Sequence, residues 1–178
     1  MRLVEFAPLT LQGSFHRSLI FNKLWLLSEL EQIKDHFGTI YILGSWYGNL
    51  SLLLARSDIR FEHIVNVDSD AQAVKTGQQI AEKMGVADRI EPMVADANTL
   101  DYRQLDQDGL VINTSCYDIK NTEWFDHIPA GTMVVLQSRT DVDEDLSDYK
   151  LSKLLYQGSR ELEDPEVKYT SILEIGVK

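Results

Sequence analysis

The sequence predicts a three-layer α/β/α sandwich around a mostly parallel, seven-stranded sheet that ends in a C-terminal antiparallel hairpin. Short apolar runs typical of buried strands alternate five times with helical patterns. Alternation of this kind builds a parallel sheet with helices on both faces. Two further strand candidates then close the chain, at about 159–163 and 168–177, and Asp164-Pro165-Glu166 separates them. A connection this short suits an antiparallel pair.

The composition is that of an ordinary globular protein, with 44% hydrophobic and 25% charged residues in a chain of 178. This length suits one domain, and no linker-like stretch divides it, so we expect a single domain over 1–178. No run approaches the ~20 apolar residues of a membrane span, and the N-terminus does not resemble a secretion signal. We expect a cytoplasmic protein with no membrane partner.

Cysteine, histidine and charge narrow the possible chemistry. The single cysteine, Cys116, excludes an intramolecular disulfide. The four histidines are scattered without ligand spacing, so we predict no metal site. A net charge of −11 argues against a nucleic-acid partner, because phosphate binding needs a basic surface. All of this excess lies in residues 39–178, since four basic and four acidic residues cancel within 1–38.

The N-terminal part predicts an extended arm over 1–14 and an amphipathic helix or helix pair over 15–37. Leucines and isoleucines recur there at three- and four-residue spacing, and Gly38 suits the position just after a helix. The first strand, 39–43, is rich in β-branched and aromatic residues. A helix over about 49–56 follows it.

The middle of the chain continues the alternation. Its predicted elements are a strand at 63–67, a helix at 71–84, a strand at 89–94 and a short helix at about 99–107. Residues 68–70 can cap the first of these helices. Pro92 suits an edge strand, because proline cannot donate a hydrogen bond to the ladder.

The last part of the core predicts two more strands and two more helices. The strands lie at 110–112 and 132–137, and the helices at about 123–128 and 143–156. The final helix is read from DEDLSDYKLSKLLY, whose leucines recur at helical spacing behind an acidic first turn.

Small or polar residues follow the predicted parallel strands at their carboxyl ends. They are Gly44–Gly48, Asp68, Asp96–Ala97, Asn113–Tyr117 and Gln137–Arg139. These ends meet at one edge of a parallel sheet, where open α/β sheets bind ligands. Asp68 ends a strand 24 positions after Gly44, as does the carboxylate that binds ribose hydroxyls in nucleotide-binding units. The pair predicts a nucleotide-like ligand, although a glycine turn alone also occurs without any ligand.

Over residues 38–178 the sequence resembles the class I S-adenosylmethionine-dependent methyltransferases, which have a Rossmann-like fold. The resemblance rests on the order of ILGSWYGNL, IVNVDSD, VADANTL, LVINTSCYD and GTMVVLQS, followed by the terminal hairpin. It implies a methyltransferase with S-adenosyl-L-methionine as cofactor. It also implies a cofactor-binding core over 39–178, with residues 1–38 forming an arm and a helical lid.

The resemblance assigns the glycine loop to the methionine part of the cofactor. The loop residues in this role are Gly44, Ser45, Trp46 and Gly48. Family members usually carry an acid two residues before the first glycine and a further glycine in mid-loop, where this chain has Ile42 and Trp46. These departures motivate an alternative, a catalytically silent adenosylmethionine-binding protein of the same fold. For Trp46, stacking beside the cofactor and simple loop packing both remain open.

The remaining cofactor roles come from the same resemblance. Asp68 maps to the ribose ligand and Ser69 to a position beside the adenine, while a helix cap is the alternative for Asp68. Asp96 and Ala97 map to the pair that holds the adenine amino group, with a surface loop as the alternative. Asn113 maps to the residue that faces the methionine amino group and the transferable methyl, with a turn as the alternative.

The acceptor side is assigned more sparsely. The segment before the core covers the active site in relatives, so His16 and Arg17 are candidate substrate contacts, with exposed surface as the alternative. Tyr117 is a candidate substrate wall or weak base, and Asn113 is the second candidate catalytic residue. We predict methyl transfer to an unidentified small-molecule or protein acceptor. A nicotinamide-dinucleotide-binding Rossmann protein is the second alternative, although its G-x-G-x-x-G fingerprint is absent; a scaffold protein is the third.

Overall fold

Seven strands of the described residues form one sheet in the order β3-β2-β1-β4-β5-β7-β6. The structure is a computed structural model that describes residues 11–116, 118–119, 121–140, 146–163 and 168–178. The strands are β1 His36–Leu43, β2 Arg60–Asp68, β3 Ile90–Val94, β4 Leu110–Asn113, β5 Met133–Arg139, β6 Lys153–Glu163 and β7 Lys168–Val177. Strands β1 to β5 pair in parallel, whereas β7 runs antiparallel to both β5 and β6. The predicted seven-stranded sheet with its C-terminal hairpin is confirmed.

Helices flank this sheet. They are α1 Leu11–Ser14, α2 Arg17–Ile33, α3 Asn49–Leu54, α4 Ala71–Lys83 and α5 Glu123–His127, with short 3-10 turns at Ala87–Arg89, Ala97–Thr99, Tyr102–Gln104 and Leu146–Asp148. In the part of the chain that the structure describes, no helix combines the length and the apolar character needed to cross a bilayer.

Alternate residues of the central strands supply two separate apolar cores. Ile40 and Ile42 of β1 pack in one cluster with buried leucines of α2 and α3. Tyr41 and Leu43 point to the other face and pack with Trp124 of α5. Because side chains alternate along a strand, the continuous apolar run of β1 is buried on both faces. The sheet therefore carries an apolar core on each face, in agreement with the three layers predicted from the sequence.

The first strand begins earlier than predicted, and this changes the role of Gly38. Helix α2 ends at Ile33, and β1 starts at His36, so Gly38 lies within the strand rather than after a helix. A side chain at Gly38 would collide with the Asp106 carboxylate. That carboxylate accepts a hydrogen bond from the Thr39 N–H at 3.2 Å. Because Gly38 has no side chain, the Asp106 carboxylate of the neighbouring loop can lie against the strand at this position.

Two predictions, for the N-terminal arm and for a mid-chain helix, were wrong. Within the arm expected to be extended over 1–14, residues 11–14 form α1, and residues 1–10 lie outside the described residues. The short helix expected over 99–107 is replaced by two 3-10 turns, at Ala97–Thr99 and Tyr102–Gln104. Both turns are capped by aspartates, Asp96 and Asp101, whose side chains accept backbone hydrogen bonds and compete with a continuous helix.

The helix expected over 143–156 was also wrong. Residues 143–145 and the predicted hairpin turn at 164–166 lie outside the described residues. A 3-10 turn covers Leu146–Asp148, and β6 begins at Lys153. Strand β6 pairs with β7 along its whole length. These ladder hydrogen bonds override the helical spacing of the leucines, and Leu154, which the helix would have buried, is half exposed.

The edge position inferred for Pro92 was correct. Strand β3 is the outermost strand on its side, and Pro92 lies opposite Asn66 of β2. An edge strand makes ladder bonds on one side only, so it tolerates the missing N–H of proline. This ordering places β3 at one end of the carboxyl edge and the hairpin at the other.

Candidate functional site

A cleft of about 570 Å³ opens along the carboxyl edge of the sheet. Its described walls come from the residues that end or follow β1, β2, β3 and β4, together with one face of α2. Cavities of about this size hold drug-sized or nucleotide-sized ligands. Four of the five strand ends predicted from the sequence thus meet at one place, as the topology of a parallel sheet requires, whereas Gln137–Arg139 lie within β5 and outside the described lining.

The loop after β1 has a backbone of unusual shape. Gly44, Trp46 and Gly48 all have positive φ, at 60°, 51° and 73°. A side chain at Gly44 would meet the Ser115 Cβ at 3.0 Å, so glycine serves both conformation and close approach there. Trp46 adopts the left-handed region despite its Cβ, which is a local strain. Its ring packs on Tyr47, with centroids 5.0 Å apart.

Gly48 serves packing rather than the wall of the main cleft. It precedes α3, and an added Cβ would lie 2.7 Å from the Asn66 Nδ2. Asn66 in turn donates to the Ser51 Oγ at 2.8 Å, and this pair is buried. Gly44, Ser45 and Trp46 line the cleft, whereas Gly48 lines a small recess behind the loop. A direct cofactor contact at Gly48 stays a prediction.

Asp68 joins the glycine loop to the second strand. Its Oδ2 accepts from the Trp46 N–H at 2.7 Å, and its Oδ1 accepts from the Asp70 N–H at 2.9 Å. The helix cap considered for Asp68 is made instead by Asp70, which accepts from the N–H groups of Gln72 and Ala73. Each carboxylate oxygen can accept more than one hydrogen bond. Asp68 therefore braces the strained loop and keeps acceptor capacity facing the cleft.

The loop after β3 supplies the far end of the cleft. Asp96 and Ala97 both line it, and so does the predicted adenine neighbour Ser69 after β2. The Asp96 Oδ1 accepts from the N–H and the Nδ2 of Asn98, at 2.9 and 3.0 Å. The carbonyl of Ala97 accepts from the Tyr102 hydroxyl at 2.9 Å, which fixes the loop from below.

Asn113 is completely buried and lies outside the described lining of the cleft. Its Oδ1 accepts from the Ser115 N–H at 2.9 Å, so its side chain shapes the turn after β4. Its Nδ2 has no hydrogen-bond partner among the described residues. Thr114 and Ser115 line the cleft in its place. The catalytic and cofactor roles of Asn113 stay predictions, and Tyr117 lies outside the described residues.

The N-terminal helix reaches the cleft, but with residues other than the predicted ones. His16 caps α2 by accepting from the Ser18 N–H at 3.4 Å, and the Arg17 guanidinium lies 5.1 Å from the Phe21 ring centroid. Both His16 and Arg17 are exposed and lie outside the described cleft lining. Leu19 and Lys23 of the same helix form that wall. The predicted substrate contacts at His16 and Arg17 stay predictions.

Two hydrogen bonds hold the N-terminal helices in place over the sheet. The Asn49 Nδ2 at the start of α3 donates to the Ser14 carbonyl at 2.6 Å. The Gln137 Nε2 of β5 donates to the Asn22 Oδ1 at 3.1 Å, and this contact is buried. Helix α1 is thereby anchored to the start of α3, and α2 is anchored to β5.

Sequence reasoning missed several ionisable residues of the cleft, among them Lys23 and Asp118. Burial lowers the pKa of Lys23 to about 8. Partial desolvation raises the pKa of Asp118, Arg139 opposes this, and Asp68 adds to it. A signal for Lys23 existed: it lies four residues after Leu19 and four before Leu27, on the apolar stripe of α2. A lysine on a stripe that otherwise faces the core indicates a position that is enclosed by the protein rather than exposed on the surface.

No model of a known protein family matches the sequence, and neither does any curated protein. Solved structures do match. N-methyltransferase NodS from Bradyrhizobium japonicum WM9 has a TM-score of 0.67 at 11% identity, with 93% of this chain and 99% of that chain covered. TrmK from M. capricolum, in complex with S-adenosylhomocysteine, has a TM-score of 0.62 at 13% identity, covering 84% of this chain and 67% of that chain.

An rRNA methylase from Streptococcus thermophilus has a TM-score of 0.62 at 13% identity, covering 92% of this chain and 99% of that chain. These likenesses agree with the strand order and with the antiparallel β7. The chain has the class I S-adenosylmethionine-dependent methyltransferase fold. Identities this low establish the fold alone.

Proposed function

We propose that this protein binds S-adenosyl-L-methionine and transfers its methyl group to a small-molecule or protein acceptor. The observation that carries the proposal is the convergence of Asp68, the Gly44 loop and Asp96 on one cleft at the carboxyl edge. Two structures with this fold, TrmK and a methyltransferase from Thiobacillus denitrificans, contain S-adenosylhomocysteine. That product occupying the same fold supports the same ligand here.

The residues present fit this cofactor. Asp68 has acceptor capacity for ribose hydroxyls, and Asp96 has a second carboxylate oxygen for the adenine amino group. Small residues, Gly44 and Ala97, leave room along the cleft floor. When bound, the cofactor supplies an electrophilic methyl group on a sulfonium. The protein then has to align the acceptor with that methyl and keep water out.

The charge of the cleft limits the acceptor. Four aspartates line it (Asp68, Asp70, Asp96 and Asp118), against the single described cation, Lys23. A polyphosphate chain would be repelled by such a surface. We therefore favour a small molecule or a protein side chain over nucleic acid. Asn113 and Tyr117 stay the proposed catalytic residues, and the buried Asn113 would act through the turn that brings Thr114 and Ser115 to the cleft.

The silent cofactor-binding protein remains the rival, because Trp46 strains the loop where the family places a glycine. The dinucleotide-binding alternative loses support from the sheet. Dinucleotide-binding Rossmann sheets have the strand order 3-2-1-4-5-6. Here an antiparallel β7 lies between β5 and β6.

Calorimetric titration with S-adenosylmethionine and S-adenosylhomocysteine tests the cofactor. Folded protein that binds neither at millimolar concentration contradicts the proposal. Methyl transfer is then tested by measuring S-adenosylhomocysteine release with pooled metabolites and with extracted proteins. Binding without release in any pool would favour the silent protein.

A further inference from the structure

The two ends of the cleft differ in chemistry, and the order of the strands in the sheet determines which residues lie towards each end. Asp96 follows β3, and Asp68 ends β2. Lys23 belongs to α2, and this helix is held towards the other end, because its Asn22 Oδ1 accepts a hydrogen bond from Gln137 of β5. Strands β3 and β4 are three positions apart in the sheet, which is about 14 Å at the usual strand spacing. Asp68 and Asp96 thus face one end of an elongated ligand, and the helix that carries Lys23 lies towards the other.

Lys23 has no ion-pair or hydrogen-bond partner among the described residues. By contrast, Lys34, the residue that caps the C-terminus of α2, forms a salt bridge with Asp108 at 2.6 Å. Burial lowers the pKa of Lys23, and no described carboxylate opposes that effect. A lysine ammonium removed from water without a partner is unfavourable. Such a group in a ligand cleft is typical of a site that an anion completes.

We propose that Lys23 binds the carboxylate at the methionine end of the cofactor. This inference rests on the proposed function, which places the adenosine at Asp68 and Asp96. With the base and ribose at the β3 and β2 ends, the amino-acid end of the cofactor extends over β1 and β4. Lys23 lines the same cleft as Gly44 and Asn49, and it is carried by α2, the helix bonded to β5 on the far side of β4.

The charge pattern favours a carboxylate over the other groups of the ligand. The ammonium and the sulfonium would be repelled by Lys23, and the adenosine is neutral. An acceptor carboxylate shares the same chemistry, so the experiment has to separate the two sources. S-adenosylhomocysteine carries the carboxylate, whereas 5′-methylthioadenosine keeps the adenosine and the thioether and lacks the amino-acid end.

The test is calorimetric titration of both ligands into wild type, Lys23→Met, Lys23→Arg and Lys75→Met. Lys75 is an exposed lysine of α4, so its variant changes the net charge equally without touching the cleft. We expect Lys23→Met to weaken S-adenosylhomocysteine about 10- to 100-fold, the range for a hydrogen bond between charged groups. The affinity for 5′-methylthioadenosine should stay within about twofold of wild type. Lys23→Arg should recover part of the loss, and Lys75→Met should match wild type.

Other results overturn the inference in distinguishable ways. An unchanged affinity of Lys23→Met for S-adenosylhomocysteine would show that Lys23 does not bind the cofactor carboxylate, and would leave the proposed function standing. An equal loss for both ligands would show that Lys23 acts on the adenosine or on the shape of the cleft. Wild type that binds neither ligand would overturn the proposed function and the inference together.

Discussion

Replacing Lys23 by methionine is expected to stabilise the ligand-free protein, although it removes a residue of the cleft. Burial lowers the pKa of Lys23 from 10.5 to about 8. The folded protein therefore holds this proton less tightly than the unfolded chain does. At neutral pH the ammonium is charged in both states, and folding has to desolvate it. Methionine has a similar unbranched stem and helix propensity without the charge.

The size of the gain follows from the pKa. A tenfold change in proton affinity corresponds to about 1.4 kcal/mol, so the lowering corresponds to about 3 kcal/mol at pH 7. Lys23 keeps some contact with solvent, which reduces the penalty. We expect Lys23→Met to raise the free energy of unfolding by about 1–3 kcal/mol.

The pH dependence has a definite sign. Below pH 8 the ammonium is present in both states, and the penalty is complete. Between pH 8 and 10.5 the unfolded chain binds more protons than the folded protein, so wild type gains stability relative to the variant. The difference between the two should be largest near pH 7, fall to less than half by about pH 9.5 and vanish above pH 10.5.

Urea denaturation of ligand-free protein at about pH 7.0 and 9.5 measures both quantities. Bound ligand has to be removed first, because it would stabilise wild type selectively. Lys75→Met serves as the control and should change stability by less than about 0.5 kcal/mol. A Lys23→Met variant that is less stable than wild type at neutral pH would refute the reasoning. A gain that does not shrink at the higher pH would refute it equally.

Three further predictions concern the loop, the ribose ligand and the lid. Asp68→Ala should weaken S-adenosylhomocysteine binding by about 1.5–3 kcal/mol, as measured by calorimetry. It should also lower the free energy of unfolding by about 1–2 kcal/mol, as measured by urea denaturation, because the two loop hydrogen bonds of Asp68 are lost. Gly48→Ala should lower the free energy of unfolding by about 2–4 kcal/mol, because the added Cβ would meet Asn66. Gly85 has a similar positive φ and open space around it, so Gly85→Ala should lower the free energy of unfolding by only about 1–2 kcal/mol. Equal losses for the two variants would exclude the packing role of Gly48. Deleting residues 1–17 tests the proposed lid, which would enclose the acceptor: turnover should fall more than cofactor affinity. Equal activity of truncated and full protein would show that the segment is not a lid.

The central sheet was predictable because its strands are buried on both faces. An apolar run such as 40–43, ended by a glycine, has few other interpretations. The carboxyl ends followed from the topology, so the sequence alone was enough to place Asp68 and Asp96 in one cleft. Both acids do line that cleft.

The wrong secondary-structure predictions occur where a contact with a distant part of the chain, rather than the local sequence pattern, determines the structure. The leucines of 151–155 are spaced like a helix, but most of their segment pairs with β7, a contact that no short window of sequence shows. Lys23 was missed for a related reason. Its neighbours on α2 are visible in the sequence, whereas the other residues that line its cleft come from distant strand ends.

The four aspartates around the cleft would attract the two forms of the proposed cofactor unequally. S-adenosylmethionine carries one positive charge more than S-adenosylhomocysteine, since the sulfonium becomes a neutral thioether once the methyl has left. In the proposed reaction, the field of the carboxylates would hold the charged form more strongly and the neutral product less strongly. Methyl transfer would thus remove part of the attraction, and the product would dissociate more readily than the cofactor. Added salt would blunt this discrimination, because it screens the same field.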